Sequence, residues 1–369
     1  MKKVVLLSWH YYNSKRQAGF HFLANAFKDR GFQVVFISAA ISLLTFLRKD
    51  SKIYEKDFSK NVIKPMNFNG VKSVINTSLF QPAVSRNSKV LELLAKVFFK
   101  LSITSKKEVR TANYIVFESM SSIMFFDKVK LINPTAKIIY RMSDDIEILK
   151  APKVTVDYER SILTKFDLVS VPTKTMYDKF VALSPDNVKL HFHGIDKKIY
   201  DQAKFSPYTE KINHIFVGNS LLDQDFIDIA SSIYEDHLFH IIGTFEPIIK
   251  KRNVIYYGYM PFEETIPYVK FATTGLQIIS NYNGVAETLS DSLKVLQYSY
   301  CKLPIIAPSV IPAHHRKNFF YYDYNDKNSI KQCVEEALAF DKTSFTVNIK
   351  SWDELAIELI SDHQSIIDS

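Results

Sequence analysis

Asp144 is the residue whose type and position best suit acid–base chemistry. It falls in the turn beyond the apolar run Ile138–Arg141, which predicts a strand. Ligands of open parallel sheets bind outside the carboxyl ends of the strands, so a carboxylate in this position is a candidate general base. Partial burial would raise its pKa toward neutrality and suit it to take a proton from a hydroxyl group. The alternative is that Asp144 or Asp145 only caps a following helix.

A second candidate, Lys294, lies in the first turns of a predicted helix over Asp291–Tyr300. The N-terminus of a helix offers unpaired N–H groups and the positive end of the helix dipole to a diphosphate. A lysine there would add the point charge that stabilises a departing nucleotide in place of a metal ion. Further contacts with the same nucleotide-bearing donor substrate are candidates at Ser292, Gln297 and the upstream Glu287. The alternative is a solvated lysine on a helix face.

Gly218, Asn219 and Ser220 follow a predicted strand in the second half of the chain. Because glycine has no Cβ, the backbone at Gly218 could approach a nucleotide closely, and the three residues are candidates for donor binding. Turns of this composition also occur without a ligand.

His10 and Glu118 follow two strands predicted in the first half of the chain. His10 could itself be the base, could bind the acceptor or could be an ordinary loop histidine. Glu118 is likewise a candidate for contact with the acceptor substrate.

The elements that must position these residues alternate short β-branched runs with helical segments, which is typical of an α/β fold with parallel strands. The amphipathic segment Gly19–Arg30 predicts a helix that ends before Gly31 and lies between two strands, as in half of a Rossmann fold. The predicted strands are Val4–Ser8, Val34–Ile37, Tyr114–Phe117, Ile138–Arg141 and Leu168–Val171, followed by Ile215–Val217, Phe239–Ile242, Val254–Tyr257, Gly275–Ile279 and Pro304–Ile306.

This pattern predicts the GT-B arrangement, in which two Rossmann-like domains face each other across a cleft. With the boundary in the polar stretch 197–211, an N-terminal acceptor-binding domain spans 1–200 and a C-terminal nucleotide-sugar-binding domain spans 201–350. The amphipathic segment 351–369 is predicted to form a helix that crosses back to the first domain. Such a fold indicates a glycosyltransferase, and inversion at the anomeric carbon needs a base such as Asp144.

A metal-dependent reaction is not expected. Asp223-Gln224-Asp225 resembles the metal-binding D-x-D motif of the other large glycosyltransferase fold, but it stands at the start of a predicted helix, where acidic side chains favour the dipole. His314-His315 is followed by Arg316-Lys317, which favours a surface or the rim of a cleft over a metal site. We therefore predict no metal and no cofactor besides a sugar-nucleotide donor.

The 369-residue chain carries a net charge of +8, which suits an anionic partner such as nucleic acid, anionic lipid or a phosphorylated substrate. No RNA-binding, helix–turn–helix or zinc-finger spacing accompanies the basic residues, so nucleic acid is not expected as a partner. No stretch approaches the roughly 20 apolar residues of a spanning helix. We expect a soluble or peripheral protein.

Residues 85–107 are a candidate membrane-facing segment. Apolar residues fall at helical spacing among lysines: Leu91, Leu94, Val97, Phe98 and Leu101. A basic amphipathic helix can lie in an anionic membrane interface. A core-facing helix with a lysine-rich solvated face is the alternative, and the sequence leaves both interpretations open.

The order and spacing of several motifs resemble the GumK-like family, the membrane-associated glucuronosyltransferases of the xanthan type. The motifs are Leu7-Ser8 with His10, Ile115–Ser119, Asn133–Lys137, Tyr140–Asp144, His193–Asp196, Val217-Gly218, Val254–Gly258 and Ser292–Tyr298. The likeness covers most of the chain in the same order.

The resemblance implies an inverting, metal-independent GT-B enzyme that transfers glucuronate from UDP-glucuronate. The acceptor would be a polyprenyl-diphosphate-linked oligosaccharide, in surface-glycan assembly at the cytoplasmic face of the cell membrane. Asp144 matches the family's catalytic base and Lys294 its diphosphate-binding lysine. Arg141, beside the base, would steady it on the acceptor side.

The departures from the family pattern fall on the donor side. Tyr259 stands where the family has a glutamate, and Ser220 stands where it has a methionine. Tyr282 matches a donor-contacting tyrosine only loosely, because the loop before Lys294 is shorter. These changes leave the transferred sugar open. The alternatives are a GT-B transferase of another UDP- or GDP-sugar with His10 as base, and a non-catalytic sugar-nucleotide-binding protein.

Overall fold

The computed structural model describes residues 1–15, 17–42, 46–47, 51–78, 99–209, 211–219, 221–280 and 285–367. The chain divides into two compact units: the first joins Met1–Phe192 to Trp352–Ser369, and the second comprises His193–Ser351. This boundary lies before the stretch 197–211, because the helix at Lys197–Gln202 packs Tyr200 into the core of the second unit.

The first unit is built on a mostly parallel sheet. Its strands are β1 (Lys3–Ser8), β2 (Gln33–Ser42), β3 (Met66–Phe68), β4 (Val71–Ser78), β5 (Tyr114–Glu118), β6 (Lys137–Arg141), β7 (Leu168–Val171) and β8 (Val188–Leu190). They lie in the order β3-β4-β2-β1-β5-β6-β7-β8, and β3 is antiparallel to β4. From β4 to β7 this is the 3-2-1-4-5-6 order of a Rossmann fold.

Helices connect these strands and cover the sheet. They are α1 (Gly19–Asp29), α2 (Phe58–Ile63), α3 (Ile103–Arg110), α4 (Phe126–Ile132), α5 (Lys153–Ile162) and α6 (Lys174–Val181). Strands β1, β5 and β7 are buried along their whole length, as expected of parallel strands with both faces covered. Their β-branched and apolar sequences fit this burial.

The second unit has the same plan. Its strands are β9 (Asn213–Val217), β10 (Leu238–Ile242), β11 (Val254–Gly258), β12 (Thr274–Leu276), β13 (Ile305–Pro308) and β14 (Phe319–Tyr322), and its helices are α7 (Lys197–Gln202), α8 (Gln224–Ile233), α9 (Phe262–Lys270), α10 (Leu293–Tyr300) and α11 (Lys327–Leu338). The parallel strands lie in the order β11-β10-β9-β12-β13-β14, again the Rossmann order.

The last helix, α12 (Trp352–Ile367), belongs to the first unit. Trp352 stacks on Phe22 of α1 with ring centroids 5.5 Å apart. Leu355, Ala356 and Leu359 are fully buried, which is the spacing of one apolar helix face.

The two parallel sheets confirm the predicted α/β fold class. Each predicted strand corresponds to an observed one, whereas β3, β4, β8 and β14 were not predicted. In β4, buried polar residues interrupt the apolar pattern: Ser73 accepts a hydrogen bond from Asn61 at 2.6 Å, and Asn76 accepts one from the Ser102 N–H at 2.8 Å. Because these buried polar side chains are hydrogen-bonded, the strand is stable without a continuous apolar pattern, and hydrophobic periodicity does not predict it.

The candidate membrane-facing segment lies largely outside the described residues, which resume at Phe99. Phe99 and Leu101 are buried, and Ser102 caps α3 by accepting the Ser105 N–H. Residues 41–49, which also mix apolar and basic residues in the sequence, are described only at 41–42 and 46–47. In the described part of the chain, no helix is long and apolar enough to cross a bilayer.

The ends of β9 and β10 approach each other closely at two glycines. Gly243 has φ of +150°, and a Cβ there would lie 1.7 Å from the carbonyl oxygen of Gly218. The Gly218 N–H in turn donates to the Ile242 carbonyl at 3.0 Å. Only a residue without a side chain permits this approach, so Gly243 fixes the backbone position of Gly218.

We predict that Gly243→Ala destabilises the second unit by more than the roughly 1–3 kcal/mol of an unfavourable backbone conformation alone, because the overlap with backbone cannot be relieved by a rotamer change. Gly258→Ala is the matched control, since Gly258 also has positive φ (+72°) but a Cβ added there would meet no atom within 4 Å. Thermal unfolding compares the two variants. Equal losses of stability would show that the contact with Gly218 is not tight.

Candidate active site

Three adjacent strands of the first unit bring the polar residues after them to one edge of the sheet. Strand β5 pairs in parallel with β1 on one side and with β6 on the other, and Glu118 is in register with Arg141. The last residue of β1 is Ser8, and Asp144 follows β6 by three residues. The expected grouping of His10, Glu118 and Asp144 at the carboxyl ends of the strands therefore exists in this unit.

Asp144 is exposed to solvent, while its backbone is fixed. The Ser119 hydroxyl donates to the Asp144 carbonyl at 3.1 Å and accepts the Ser143 N–H at 3.0 Å. Desolvation by the protein around it and the neighbouring Asp145 carboxylate both raise the pKa of Asp144. A raised pKa on an accessible carboxylate is what a general base requires.

Turns rather than a helix follow Asp145, so neither Asp144 nor Asp145 is a helix cap, and Asp145 instead holds the turn itself. Its Oδ1 accepts the Glu147 N–H at 3.0 Å, and its Oδ2 is 2.6 Å from Nζ of Lys179. Lys179 also pairs with Glu147 at 2.9 Å. Asp145 is thus buried and neutralised, and these contacts hold the turn that carries Asp144.

Glu118 is buried rather than open to an acceptor, with 1% of its surface exposed. The Ser8 hydroxyl donates to Oε2, the Ser143 hydroxyl lies 3.0 Å from Oε1, and His10 Nε2 lies 3.7 Å from Oε1. Burial, with a smaller contribution from the charge of Asp144, raises the pKa of Glu118 to about 8. The expectation of a direct acceptor contact is corrected: Glu118 lies beneath the surface of the site.

His10 lies on this edge with 21% of its side chain exposed. Its backbone N–H donates to the Ser8 hydroxyl at 3.0 Å, and its ring lies 4.1 Å from that of Trp9. Of these two residues, His10 is accessible to a ligand and Glu118 is not.

Arg141 is also buried, with 2% exposure, so it does not present its guanidinium to an acceptor. Nη1 donates to the Ser170 hydroxyl at 2.9 Å and to the His191 carbonyl at 2.6 Å. Burial lowers its pKa, which the charge of Glu358 partly opposes. Arg141 joins β6 to β7 and to the segment after β8, which supports the end of the strand before Asp144.

In the second unit, the candidate donor residues gather at the carboxyl ends of β9 and β11 and at the start of α10. Gly218 follows β9 directly, and Tyr259 follows β11 with 66% exposure. Ser292 is the N-cap of α10, and its hydroxyl accepts the Val295 N–H at 3.5 Å. The Gln277 side chain donates to the same hydroxyl at 3.4 Å, so Ser292 first of all fixes the helix N-terminus.

Lys294 points its ammonium at the end of β9. Nζ lies 4.0 Å from the ring centroid of Phe216 and 3.9 Å from the position of a Cβ at Gly218. Burial lowers its pKa to about 7. Within the described residues no carboxylate forms an ion pair with it, so a bound anion would be its counter-charge. This is not the solvated lysine of the alternative interpretation.

Of the remaining candidates for donor binding, the structure describes the side chains of Gln297 and Asn219. Gln297 lies three residues after Lys294 on α10, hence on the same face, and is half-buried. Asn219 is exposed, and its Oδ1 accepts the Thr244 N–H at 3.1 Å. Ser220, Tyr282 and the side chain of Glu287 lie outside the described residues.

The Asp223-Gln224-Asp225 triplet is used structurally. Asp223 caps α8 by accepting the Phe226 N–H at 3.1 Å, and its other oxygen accepts the Tyr322 hydroxyl at 2.7 Å. Among the residues that the structure describes, no group of three or more His, Cys, Asp or Glu is arranged to hold a metal ion.

The start of α10 carries an ion cluster that sequence reasoning did not find. Asp291 is fully buried and accepts at Oδ1 from Arg316 Nε (2.9 Å) and Nη2 (2.5 Å) and from His315 Nε2 (2.9 Å). Burial alone would raise the pKa of Asp291, but the bonds from His315 and Arg316 outweigh it, and the pKa is lowered. His314 and His315, predicted to lie at a surface or the rim of a cleft, are both exposed, and His315 together with Arg316 also fixes the residue before the N-cap.

Comparisons with known proteins bear on the whole chain. Residues 6–172 match the family model for the N-terminal domain of glucuronosyltransferase GumK. Over 342 residues the chain is 28% identical to the UDP-glucuronate:glycolipid 2-beta-glucuronosyltransferase of Xanthomonas campestris pv. campestris, covering 90% of this chain and 83% of that protein. The resemblance to the GumK-like family is confirmed.

Solved structures share the fold at low sequence identity. The sucrose-phosphate synthase of Thermosynechococcus elongatus has a TM-score of 0.64 and 13% identity, covering 99% of this chain and 95% of that chain. A glycosyltransferase from Rickettsia africae has a TM-score of 0.64 and 10% identity, covering 100% and 99%. Anabaena HepE in complex with UDP and glucose has a TM-score of 0.61 and 12% identity, covering 100% and 99%. The likeness confirms the predicted GT-B fold.

We predict that Arg316→Ala destabilises the second unit by about 3–5 kcal/mol, because it removes the main counter-charge of a buried carboxylate. Arg160→Ala is the matched control: Arg160 pairs with Glu147 at the surface, and such pairs contribute roughly 0–1 kcal/mol. Adding Asp291→Asn to Arg316→Ala should recover part of the loss, since no unpaired charge then remains. Urea unfolding measures all three, and a loss no larger than that of Arg160→Ala would contradict the role of Arg316.

Proposed function

We propose that this chain, which resembles GumK and has the GT-B fold, transfers glucuronate from UDP-glucuronate to a lipid-linked oligosaccharide. The transfer would proceed with inversion at C1. The donor and the glycolipid class of acceptor are those in the name of the Xanthomonas relative. The complexes of Anabaena HepE with UDP and with UDP-glucose support a UDP-sugar as donor on this fold.

The observation that carries the proposal is the setting of Asp144. It is an exposed carboxylate with a raised pKa, held by its backbone immediately beyond a central strand of the first unit. As an acceptor hydroxyl attacks C1 of the sugar, the new C–O bond forms while the bond from C1 to the UDP oxygen breaks. The hydroxyl proton passes to Asp144, and attack from the face opposite UDP inverts the configuration.

Lys294 and the N-terminus of α10 would bind the diphosphate and take up the negative charge that develops on departing UDP. The placement of Nζ beside Gly218 and over Phe216 supports this role. A diphosphate would favour the charged form of a lysine whose pKa burial has lowered to about 7. The proposed reaction then requires no metal ion.

A glycolipid acceptor would bring the reaction to a membrane surface. We propose that the protein binds peripherally to the cytoplasmic leaflet, whose negative surface potential attracts basic proteins. The net charge of +8 supports this placement. It also makes an anionic membrane surface a better partner than a neutral one.

Asp144→Asn should abolish transfer and leave UDP binding intact, because the amide keeps the shape of the side chain but cannot take a proton. We expect the rate to fall by at least about 100-fold. The assay follows glucuronate from radiolabelled UDP-glucuronate into extractable lipid in membranes from expressing cells, and calorimetry follows UDP. Asp157→Asn, at an exposed position of α5 paired with Lys153, is the control.

Substantial transfer by Asp144→Asn would contradict the proposed role of Asp144 as the base. If His10→Gln then abolished transfer, His10 would be the base instead, as in the alternative interpretation of the sequence.

Lys294→Met should weaken UDP binding as well as slow the reaction. Loss of one charge-assisted contact is worth about 1.5–3 kcal/mol, or roughly a 10–100-fold rise in the Kd for UDP. Lys331→Met is the control, because Lys331 is exposed on α11 and pairs only with the nearby Glu335 among the described residues. Unchanged affinity in Lys294→Met would remove Lys294 from the donor site.

A further inference from the structure

Glu118 lies where three segments of the first unit meet: the end of β1, the end of β5 and the turn after β6. It is fully buried, and its carboxyl group contacts Ser8 and Ser143. We propose that Glu118 is a positioning residue: as an uncharged carboxylic acid it ties the turn that carries Asp144 to β1 and β5, and it keeps a second negative charge away from Asp144. This inference rests on the proposed role of Asp144.

The hydrogen bonds assign the two carboxyl oxygens different roles. The Ser8 hydroxyl accepts the His10 N–H at 3.0 Å, so its own proton goes to Oε2 of Glu118. Oε1 is then the oxygen that can carry a proton, and a carboxylic O–H there can donate to the Ser143 hydroxyl 3.0 Å away. The uncharged acid can therefore accept from the Ser8 hydroxyl and donate to the Ser143 hydroxyl at the same time.

The adjacent residue completes the link to the turn. Ser119 binds the Ser143 N–H and the Asp144 carbonyl, while Glu118 binds the Ser143 side chain. The Glu118 carbonyl in turn accepts the Ser122 hydroxyl. The end of β5 thus holds both the backbone and the side chain of the turn, and a change at Glu118 reaches Asp144 through one residue.

The charges around Glu118 disfavour its ionised form. The groups that face it are Ser8, the Trp9 N–H and His10 from the end of β1, and Ser143 and Asp144 from the turn after β6. Among the described residues no lysine or arginine pairs with it. Burial outweighs the hydrogen bonds from Ser8, Ser143 and the Trp9 N–H, which favour the ionised form, and raises the pKa of Glu118 to about 8. Ionisation would put a buried charge beside the Asp144 carboxylate, which like-charge repulsion opposes.

Infrared spectroscopy tests the protonation state without reference to activity. Difference spectra of wild type minus Glu118→Gln, taken from pH 6 to pH 10 in the full-length protein, should show the C=O band of a buried protonated carboxyl at pH 7. The band should disappear with a midpoint of about 8. Absence of this band at pH 7 would overturn the proposal.

The rate tests the positioning role. Glu118→Ala should lower the transfer rate by up to about 100-fold through misplacement of Asp144, with the Kd for UDP unchanged. Glu118→Gln should recover most of that loss, because its amide can donate to Ser143 and accept from Ser8. At saturating UDP-glucuronate, where a bound diphosphate keeps Lys294 charged, we expect the wild-type rate to fall above pH 8 as Glu118 ionises, and Glu118→Gln should not show this fall. The proposal fails if Glu118→Gln is as slow as Glu118→Ala, or if its alkaline fall matches that of wild type.

The two proposals fail separately. Full activity in Asp144→Asn would refute the proposed base while leaving the infrared band of Glu118 in place. An inactive Asp144→Asn together with an unprotonated Glu118 would preserve the proposed function and refute this inference alone.

Discussion

The parallel pairing of β1, β5 and β6 is the constraint on which the site of the first unit depends. Because the three strands run side by side in one direction, the residues that follow them emerge at a single edge. Segments that are 110 and 25 residues apart along the chain thereby place Ser8 and Ser143 on the same carboxyl group of Glu118. The exposed carboxylate of Asp144 and the buried carboxyl group of Glu118 both owe their positions to this register.

Near its candidate site, each of the two units has one charged side chain that is neutralised by a partner and one that, among the described residues, is not, and the sign of the second charge differs between them. In the first unit the turn after β6 holds two adjacent carboxylates, of which Asp145 is neutralised by Lys179 while Asp144 remains accessible. In the second unit the carboxylate before α10 is neutralised by Arg316, and Lys294 remains without a carboxylate partner among the described residues. The first unit therefore has an exposed carboxylate next to a neutralised one, and the second unit has a lysine near a neutralised carboxylate.

Much of the fold could be predicted from the sequence, because the central strands are short β-branched runs between amphipathic helices. The same pattern predicted that Asp144 follows a strand and that Lys294 lies in the first turn of a helix, because both elements are recognisable in the sequence. It could not place β4, where Asn76 is buried and satisfied by hydrogen bonds from another segment. Nor could it show that Glu118 and Arg141 are buried, because burial depends on neighbouring strands that are distant in the sequence.

The cluster around Asp291 shows the same limit. The histidine pair before Arg316 is exposed, as predicted, but the sequence does not show that Arg316 pairs with Asp291, which lies 25 residues earlier in the chain. The departures on the donor side, such as Tyr259 in place of a glutamate, can be read from the sequence, but their effect on sugar choice depends on a bound donor.

The most direct test of the account is the anomeric configuration of the bond that the protein forms. Nuclear magnetic resonance of the purified glycolipid product, made from UDP-glucuronate, in which the sugar is α-linked, would identify both the transferred sugar and its linkage. We predict a β-linked glucuronate. An α-linked glucuronate, or a product without glucuronate, would contradict it.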